Sequence, residues 1–358
     1  MKICILTHCY PTNKNPIGGN FIPEFAYELI KQGHKITILT PKMRDQIPID
    51  FGIPVITFDW LGGEKLLGKF KLYNPMDLVK LLSLVMQAKR ELSNQDQDID
   101  MCFACWTIPS GISAYLAGVP YSVWSLGSDI HIFINNPIGR ILLKAVFGKA
   151  KIVFANNFNF VRKIRNLTGK MCYFIPSIRR LSAKARKTNI DKGKFNFVFV
   201  GRLERVKGID ILIDAIIELN LDIMLYILGD GSLRSSLEKK VKSVHLSDKI
   251  IFKGFADADI VAGYIRDADY LIIPSRSEGM PVVFWEAMQT GTRVIGTDVG
   301  DLGYWINKLN AGKVVPPNDK IELMGAILEC ARRKPTLLGK IKIPTAKDSA
   351  KIFLDAIK

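Results

Sequence analysis

Residues 195–219 read FNFVFVGRLERVKGIDILIDAIIEL. An apolar run, a loop opened by Gly201 and closed by Gly208, and a stretch with helical spacing make one strand–loop–helix unit. The pattern then repeats: the strand IMLYILGDG, the helix LRSSLEKKVKSV, the strand KIIFKGF and the strand YLIIPS. Upstream, the chain opens in the same way, with the strand KICILTHCY, a Pro/Asn/Gly loop to Gly19, the helix FIPEFAYELIKQG and the strand KITILT. Short apolar strands alternating with helices predict α/β architecture, parallel sheets covered by helices. Ligands of such sheets bind beyond the carboxyl ends of the strands, so two Rossmann-like domains facing a central cleft would share one site.

The length, 358 residues, suits two domains at roughly 100 to 200 residues each. The polar, basic segment RRLSAKARKTNIDKGK separates the two strand–helix series, which places a first domain at 1–176, a linker at 177–194 and a second domain at 195–340. Residues 341–358 form a C-terminal helix expected to pack back on the first domain. Residues 101–128 carry no formal charge, but Pro109, Pro120, Gly111, Gly118 and Gly127 break them into strand, short helix and strand, which excludes a membrane span. Six scattered cysteines are no disulfide framework, and the CxxC of Cys102 and Cys105 lies in an apolar strand without a second pair, which reads as buried thiols. The chain shows no signal-peptide pattern, so residence in the cytoplasm is the default expectation.

The loops carry the chemistry. Arg202 and Lys207 sit between a strand end and a helix start, where cations and free helical amides suit a diphosphate. Two surface charges on a solvated loop are the competing reading. A second helix start, EGMP at 278–281, offers the amides of Gly279 and Met280, with Pro281 as the first helical residue. Glu286 follows five positions on, displaced roughly 7 Å along the axis. Two carboxylates so placed suit hydroxyl pairs at the two ends of a nucleotide sugar, although acids are also favoured at a helix start by the dipole. Three DxD-like pairs, at Asp96 and Asp98, Asp257 and Asp259, and Asp267 and Asp269, fall at element boundaries and read as caps rather than metal ligands.

Four segments in order resemble one family over most of the chain. SRSEGMPVVFWEAMQTGTRVIGTDVG resembles the E-x7-E donor loop of retaining glycosyltransferases of GT-B fold, glycosyltransferase family 4. GRLERVKGIDILIDAI is similar to the family's GR-L-x-x-x-KG segment, LGDGSLRSSLEKKV to its Gly-x-Gly segment, and GGNFIPEFAYELIKQGHKITILT to its Gly-Gly loop, helix and Gly-His turn. The resemblance implies that Arg202 and Lys207 hold the donor diphosphate, Glu286 the ribose, and Glu278 with Gly279, Met280 and Pro281 the donor sugar. Gly18 and Gly19 would approach the phosphates or the acceptor from the first, acceptor-binding domain. No cofactor is implied: the cations stabilise the departing nucleoside diphosphate, and no metal is required. FACWTIPSGISAYLAGVPYSVWSLGSDIHIF resembles the acceptor-side segment through Gly127, Ser128 and Asp129, which implies that Asp129 binds or orients the acceptor hydroxyl with Trp106 and His131 nearby; a simple loop cap is the competing reading of Asp129. Leu126 stands in place of a basic residue and Cys105 in place of a His, so no catalytic histidine carries over.

The charge is uneven. Residues 1–190 hold 25 Lys and Arg against 12 Asp and Glu, net +13, out of +16 for the whole chain. Residues 130–190 contain 13 cations and no acid, interleaved with aromatic side chains, and such a surface seeks anions. Without a nucleic-acid motif, lipid head groups are favoured over nucleic acid. The combined expectation is a transferase, peripheral at the inner face of the cell membrane. It would move a hexose from a nucleotide-diphosphate sugar, UDP foremost, to a lipid-linked or glycan acceptor in polysaccharide biosynthesis. A GT-B sugar-nucleotide epimerase and a non-catalytic basic membrane- or glycan-binding protein are the alternatives.

Overall fold

In the computed structural model the apolar runs are parallel strands. The structure describes every residue except 15–17, 65–69, 71–72, 95–98, 128–129, 131–132, 182–184, 220 and 340. One unit comprises Met1–Ile178 and Pro344–Lys358, the other Arg179–Ile343.

The first unit holds β1 (Lys2–Leu6), β2 (Lys35–Pro41), β3 (Val55–Phe58), β4 (Met101–Cys105), β5 (Tyr121–Ser125), β6 (Val153–Ala155) and β7 (Cys172–Phe174). They pair in parallel in the order β3-β2-β1-β4-β5-β6-β7. Helices α1 (Ile22–Lys31), α2 (Pro75–Asn94), α3 (Ile112–Ala117), α4 (Pro137–Lys149) and α5 (Phe158–Thr168) link them. The uncharged stretch after residue 101 is therefore β4, a turn, α3 and β5. All five residues of β4 are buried, Cys102 and Cys105 among them as free thiols, as expected of a strand covered on both faces. The C-terminal helix (Ala346–Ile357) belongs to this unit. Its Phe353 ring lies 4.5 Å from that of Phe103 and 5.7 Å from that of Phe25 on α1, and Ser349 Oγ donates to the Pro176 carbonyl at 3.0 Å.

The second unit holds β8 (Phe195–Val200), β9 (Ile223–Leu228), β10 (Ile250–Gly254), β11 (Tyr270–Ile273), β12 (Arg293–Thr297) and β13 (Gly312–Val315), parallel in the order β10-β9-β8-β11-β12-β13. Between them run α6 (Ile209–Leu219), α7 (Arg234–Ser243), α8 (Ala258–Asp267), α9 (Val282–Thr290), α10 (Leu302–Lys308) and α11 (Lys320–Ala331). In each sheet the chain builds outward to one edge, then returns to the other side of its first strand. The direction reverses between β1 and β4 and between β8 and β11. Loops leaving such a strand pair diverge, and the crevice between them is where a ligand enters a doubly wound sheet.

The linker expected at 177–194 contains the division between the two units, at Ile178 and Arg179. From Arg179 onward its described residues are part of the second unit. Leu181 N donates to Gln289 Oε1 at 2.8 Å, Arg186 N to the Asp259 carbonyl at 3.0 Å, and Thr188 Oγ1 to Asp267 Oδ2 at 2.7 Å. Its polarity, which reads as solvation, instead serves hydrogen bonds to the helices it crosses.

Candidate active site

In the second unit the loop after β8 turns through a single 3-10 turn, Arg205–Lys207, and Gly208 then hands the chain to α6. Gly208 has φ +68°, and a Cβ there would lie 1.9 Å from the carbonyl oxygen of Pro274, so only glycine lets this loop sit against the one leaving β11. Arg276, in the β11 loop, ties the two together: it forks onto Asp210 of α6 at 2.6 and 2.9 Å and also donates to the Arg205 carbonyl. Burial pushes the Asp210 carboxyl up, but the Arg276 bonds and charge outweigh it and hold the group below its ordinary range.

That clamp brings Lys207 to Glu278. Lys207 Nζ donates to Glu278 Oε1 at 2.5 Å, and Ser275 Oγ donates to the same oxygen at 2.7 Å. Glu278 Oε2 has no partner among the described residues. Ser275 is itself held through its carbonyl, which accepts from Thr297 Oγ1 of β12 at 2.6 Å. Gly279 is fixed from the other side, its carbonyl accepting from Asp301 N at 3.3 Å. Met280 is buried. Pro281 has ψ +128° and precedes the helix instead of opening it, so α9 begins at Val282, one residue later than the spacing suggests. Arg202 is exposed at the start of the β8 loop and makes no ion pair among the described residues.

Glu286 lies inside α9 and is buried, its side chain 4% exposed, where an unpaired carboxylate is strongly disfavoured. Its counter-ion is Arg179, the first residue of the unit, 12% exposed and bonded to Glu286 Oε1 through Nη2. Gln289, a turn further along α9, donates to the Arg179 carbonyl at 2.9 Å and fixes that backbone. Arg179 Nε is buried without a partner.

The second unit thus gathers a cation and two carboxylates at the loops and helix starts that follow β8 and β11. Residues 182–337 match the family Glycosyl transferases group 1. The chain is 28% identical over 341 residues to TuaC of Bacillus subtilis (strain 168), a glycosyltransferase named for teichuronic acid biosynthesis, with 86% of this chain and 84% of that protein covered. The second unit carries a group 1 glycosyl transferase domain, and the chain is a glycosyltransferase. Solved structures agree in fold. Sucrose-phosphate synthase from Thermosynechococcus elongatus superposes with a TM-score of 0.75 at 19% identity, covering 100% of this chain and 96% of that one. Anabaena HepE in complex with UDP-glucose does so with a TM-score of 0.67 at 17% identity, covering 100% and 95%. The transferase therefore has two parallel-sheet Rossmann-like domains of the GT-B kind.

In the transferase's first unit, Gly19 is buried with φ +61°, and a Cβ there would lie 2.0 Å from the Cys9 carbonyl oxygen. Gly18 beside it is half-buried. Trp106 leaves β4 with φ +69°, a conformation rare for a bulky residue, and its ring lies 4.6 Å from that of His8 in the loop after β1. Trp106 and His8 therefore meet at this unit's own strand-order reversal. Asp129 and His131 lie outside the described residues, as do Asp96 and Asp98. Three of the other four DxD aspartates have structural partners: Asp257 caps α8 by accepting from Ile260 N at 2.9 Å, Asp267 pairs with Arg266, and Asp269 accepts from Asn196 N at 2.7 Å.

Proposed function

We propose that this transferase is a retaining hexosyltransferase of family 4 that uses a nucleotide-diphosphate sugar, with UDP as the carrier. Its acceptor is a lipid-linked glycan or polysaccharide precursor at the cytoplasmic face of the membrane. The observation that carries the reading is the Lys207–Glu278 pair at the β8–β11 reversal. It sets a cation for the departing diphosphate beside a carboxylate whose Oε2 is open to sugar hydroxyls. Arg202 adds charge at the loop's exposed start, and Glu286 accepts from the ribose. Lys207 and Arg202 supply without a metal the charge compensation that a metal gives other transferases. The bond from the anomeric carbon to the phosphate oxygen breaks on the face where the acceptor oxygen attacks, and the acceptor proton passes to the departing phosphate. The UDP-glucose in HepE and the biosynthetic role in TuaC's name support the donor and the polysaccharide product.

Binding of UDP, GDP, ADP and CDP sugars, followed by ligand-observed NMR, tests the donor reading. One nucleotide binds, and Glu286→Ala and Lys207→Ala each weaken it by about tenfold or more, the loss of a charge-assisted bond. No binding by any well-folded sample would sink the reading. Conversion of the donor to an epimer without release of nucleoside diphosphate would favour the epimerase instead.

The membrane part rests on two helices of the first unit. Met76, Val79, Leu82 and Met86 project from one side of α2 and are 48–63% exposed, while Leu84, Ala88 and Leu92 bury the other. On α4, Ile138 and Ile141 are 77% and 70% exposed beside exposed Arg140 and Lys144. Exposed apolar side chains among cations suit an anionic interface. Among the described residues no helix is long and apolar enough to cross the membrane. Co-sedimentation with phosphatidylglycerol-containing vesicles is expected, and Leu82→Glu/Met86→Glu weakens it several-fold while nucleotide affinity holds. Equal retention of wild type and variant would remove the surface from consideration.

A further inference from the structure

One side chain of the second unit is bonded to three loop regions at once. Arg276, two residues before Glu278, is 17% exposed and lies among the loops that follow β8, β11 and β13. Beyond the fork of Nη1 and Nη2 onto Asp210 at 2.6 and 2.9 Å, Nη1 donates to the Arg205 carbonyl and Nε donates to Asn318 Oδ1 at 2.6 Å. The Arg276 backbone N donates to the Val206 carbonyl at 2.8 Å. A guanidinium has five N–H donors, and four are bonded inside the protein, so this cation is committed to the scaffold and not to a ligand.

The two carbonyls it grips belong to the residues just before Lys207. The Arg205 carbonyl also accepts from Gly208 N at 3.1 Å, the bond that closes the turn over Lys207. Arg276 therefore fixes the backbone on which Lys207 stands, and two residues later its own loop presents Glu278. Lysine carries its ammonium on a flexible four-carbon stem, so the backbone below it and the partner it meets set its position. The Lys207–Glu278 contact at 2.5 Å joins two loops whose spacing Arg276 sets.

Asn318 aligns the guanidinium from the third loop, meeting the Nε edge that the Asp210 fork leaves open. It has φ +63°, a conformation that asparagine and glycine adopt more readily than other residues, but glycine would bring no acceptor.

We infer that Arg276, aligned by Asn318, is a positioning residue of the transfer reaction: it holds Lys207 in register with Glu278, so that the ammonium stands where charge develops on the departing diphosphate. The inference rests on the donor reading above for what Lys207 does, and on Arg276, Asp210 and Asn318 for how it is held there.

The test measures release of UDP from UDP-glucose, donor KM and urea unfolding for wild type, Arg276→Met, Asn318→Gly, Lys207→Ala and Arg276→Met/Lys207→Ala. Arg276→Met lowers kcat by about 10- to 100-fold, the scale of a misplacement near 1 Å, while KM stays within about threefold because a mobile Lys207 still meets the bound diphosphate. Asn318→Gly keeps the backbone conformation, folds even where Arg276→Met does not, and lowers kcat by about threefold with KM unchanged. In the Lys207→Ala background Arg276→Met lowers kcat by less than about twofold, since the group it positions is already gone; general damage to the fold would multiply the two losses. Unfolding needs no donor and reads the register even where UDP-glucose is not turned over. Lys207→Ala shifts the urea midpoint by less in Arg276→Met than in wild type, because the pair is already loosened. Wild-type kcat in Arg276→Met and Asn318→Gly overturns the inference alone, as do multiplicative losses in the double variant or equal midpoint shifts in the two backgrounds. Turnover of Lys207→Ala within about threefold of wild type sinks the donor reading, and this inference with it.

Discussion

Lys207→Ala is expected to lower turnover of the donor by about 100- to 1,000-fold, the scale seen when a group aimed at developing transition-state charge is removed. The same change leaves Glu278 with Ser275 Oγ as a donor but without its cation. Both side chains are more than three-quarters buried, and breaking such a pair destabilises the fold, here by about 1–3 kcal/mol since some solvent reaches it. The two effects separate in Lys207→Ala/Glu278→Gln. Neutralising Glu278 removes the orphaned charge and recovers much of the stability, whereas the diphosphate still departs without its cation and turnover stays low. Release of nucleoside diphosphate, measured beside urea unfolding, reads both. Turnover of Lys207→Ala within about threefold of wild type would make Lys207 a structural partner of Glu278 and move the diphosphate site elsewhere.

The strands were legible because parallel sheets bury both faces, so β4 and β9 are unbroken apolar runs with glycine-bearing loops behind them. The loops of the candidate site were legible because β8 and β11 each end in a loop that opens a helix, and the strand order then makes neighbours of loops about seventy residues apart in the chain. What escaped is what such patterns do not encode. Arg179 lies 107 residues from Glu286 in a segment whose composition reads as linker, and only the fold reveals that the carboxylate's cation comes from there. Arg276 stands inside the loop after β11 itself, yet its fork onto Asp210 has no local signal, since Asp210 belongs to a different strand–loop–helix unit.

The buried pair makes the sharpest stability statement. Arg179→Met leaves Glu286 nearly solvent-free and without a counter-ion, and is expected to destabilise the protein by about 3–5 kcal/mol, read as a lower urea midpoint. In Arg179→Met/Glu286→Leu both charges are gone and similar volumes remain. Because a buried ion pair gains little over an apolar pair of the same size, most of that loss is recovered even though each partner alone is indispensable to the other. Nucleotide binding gives an independent readout. If Glu286 accepts from the ribose, hydroxyls reaching the carboxylate replace part of what Arg179 supplied, so a bound nucleotide raises the midpoint of Arg179→Met by more than it raises that of wild type. The double variant lacks the carboxylate and gains less than either. An Arg179→Met protein within about 1 kcal/mol of wild type would show that Glu286 is held by water or by its own protonation. Equal nucleotide stabilisation of all three proteins would place the ribose away from Glu286, whatever the pair contributes to the fold.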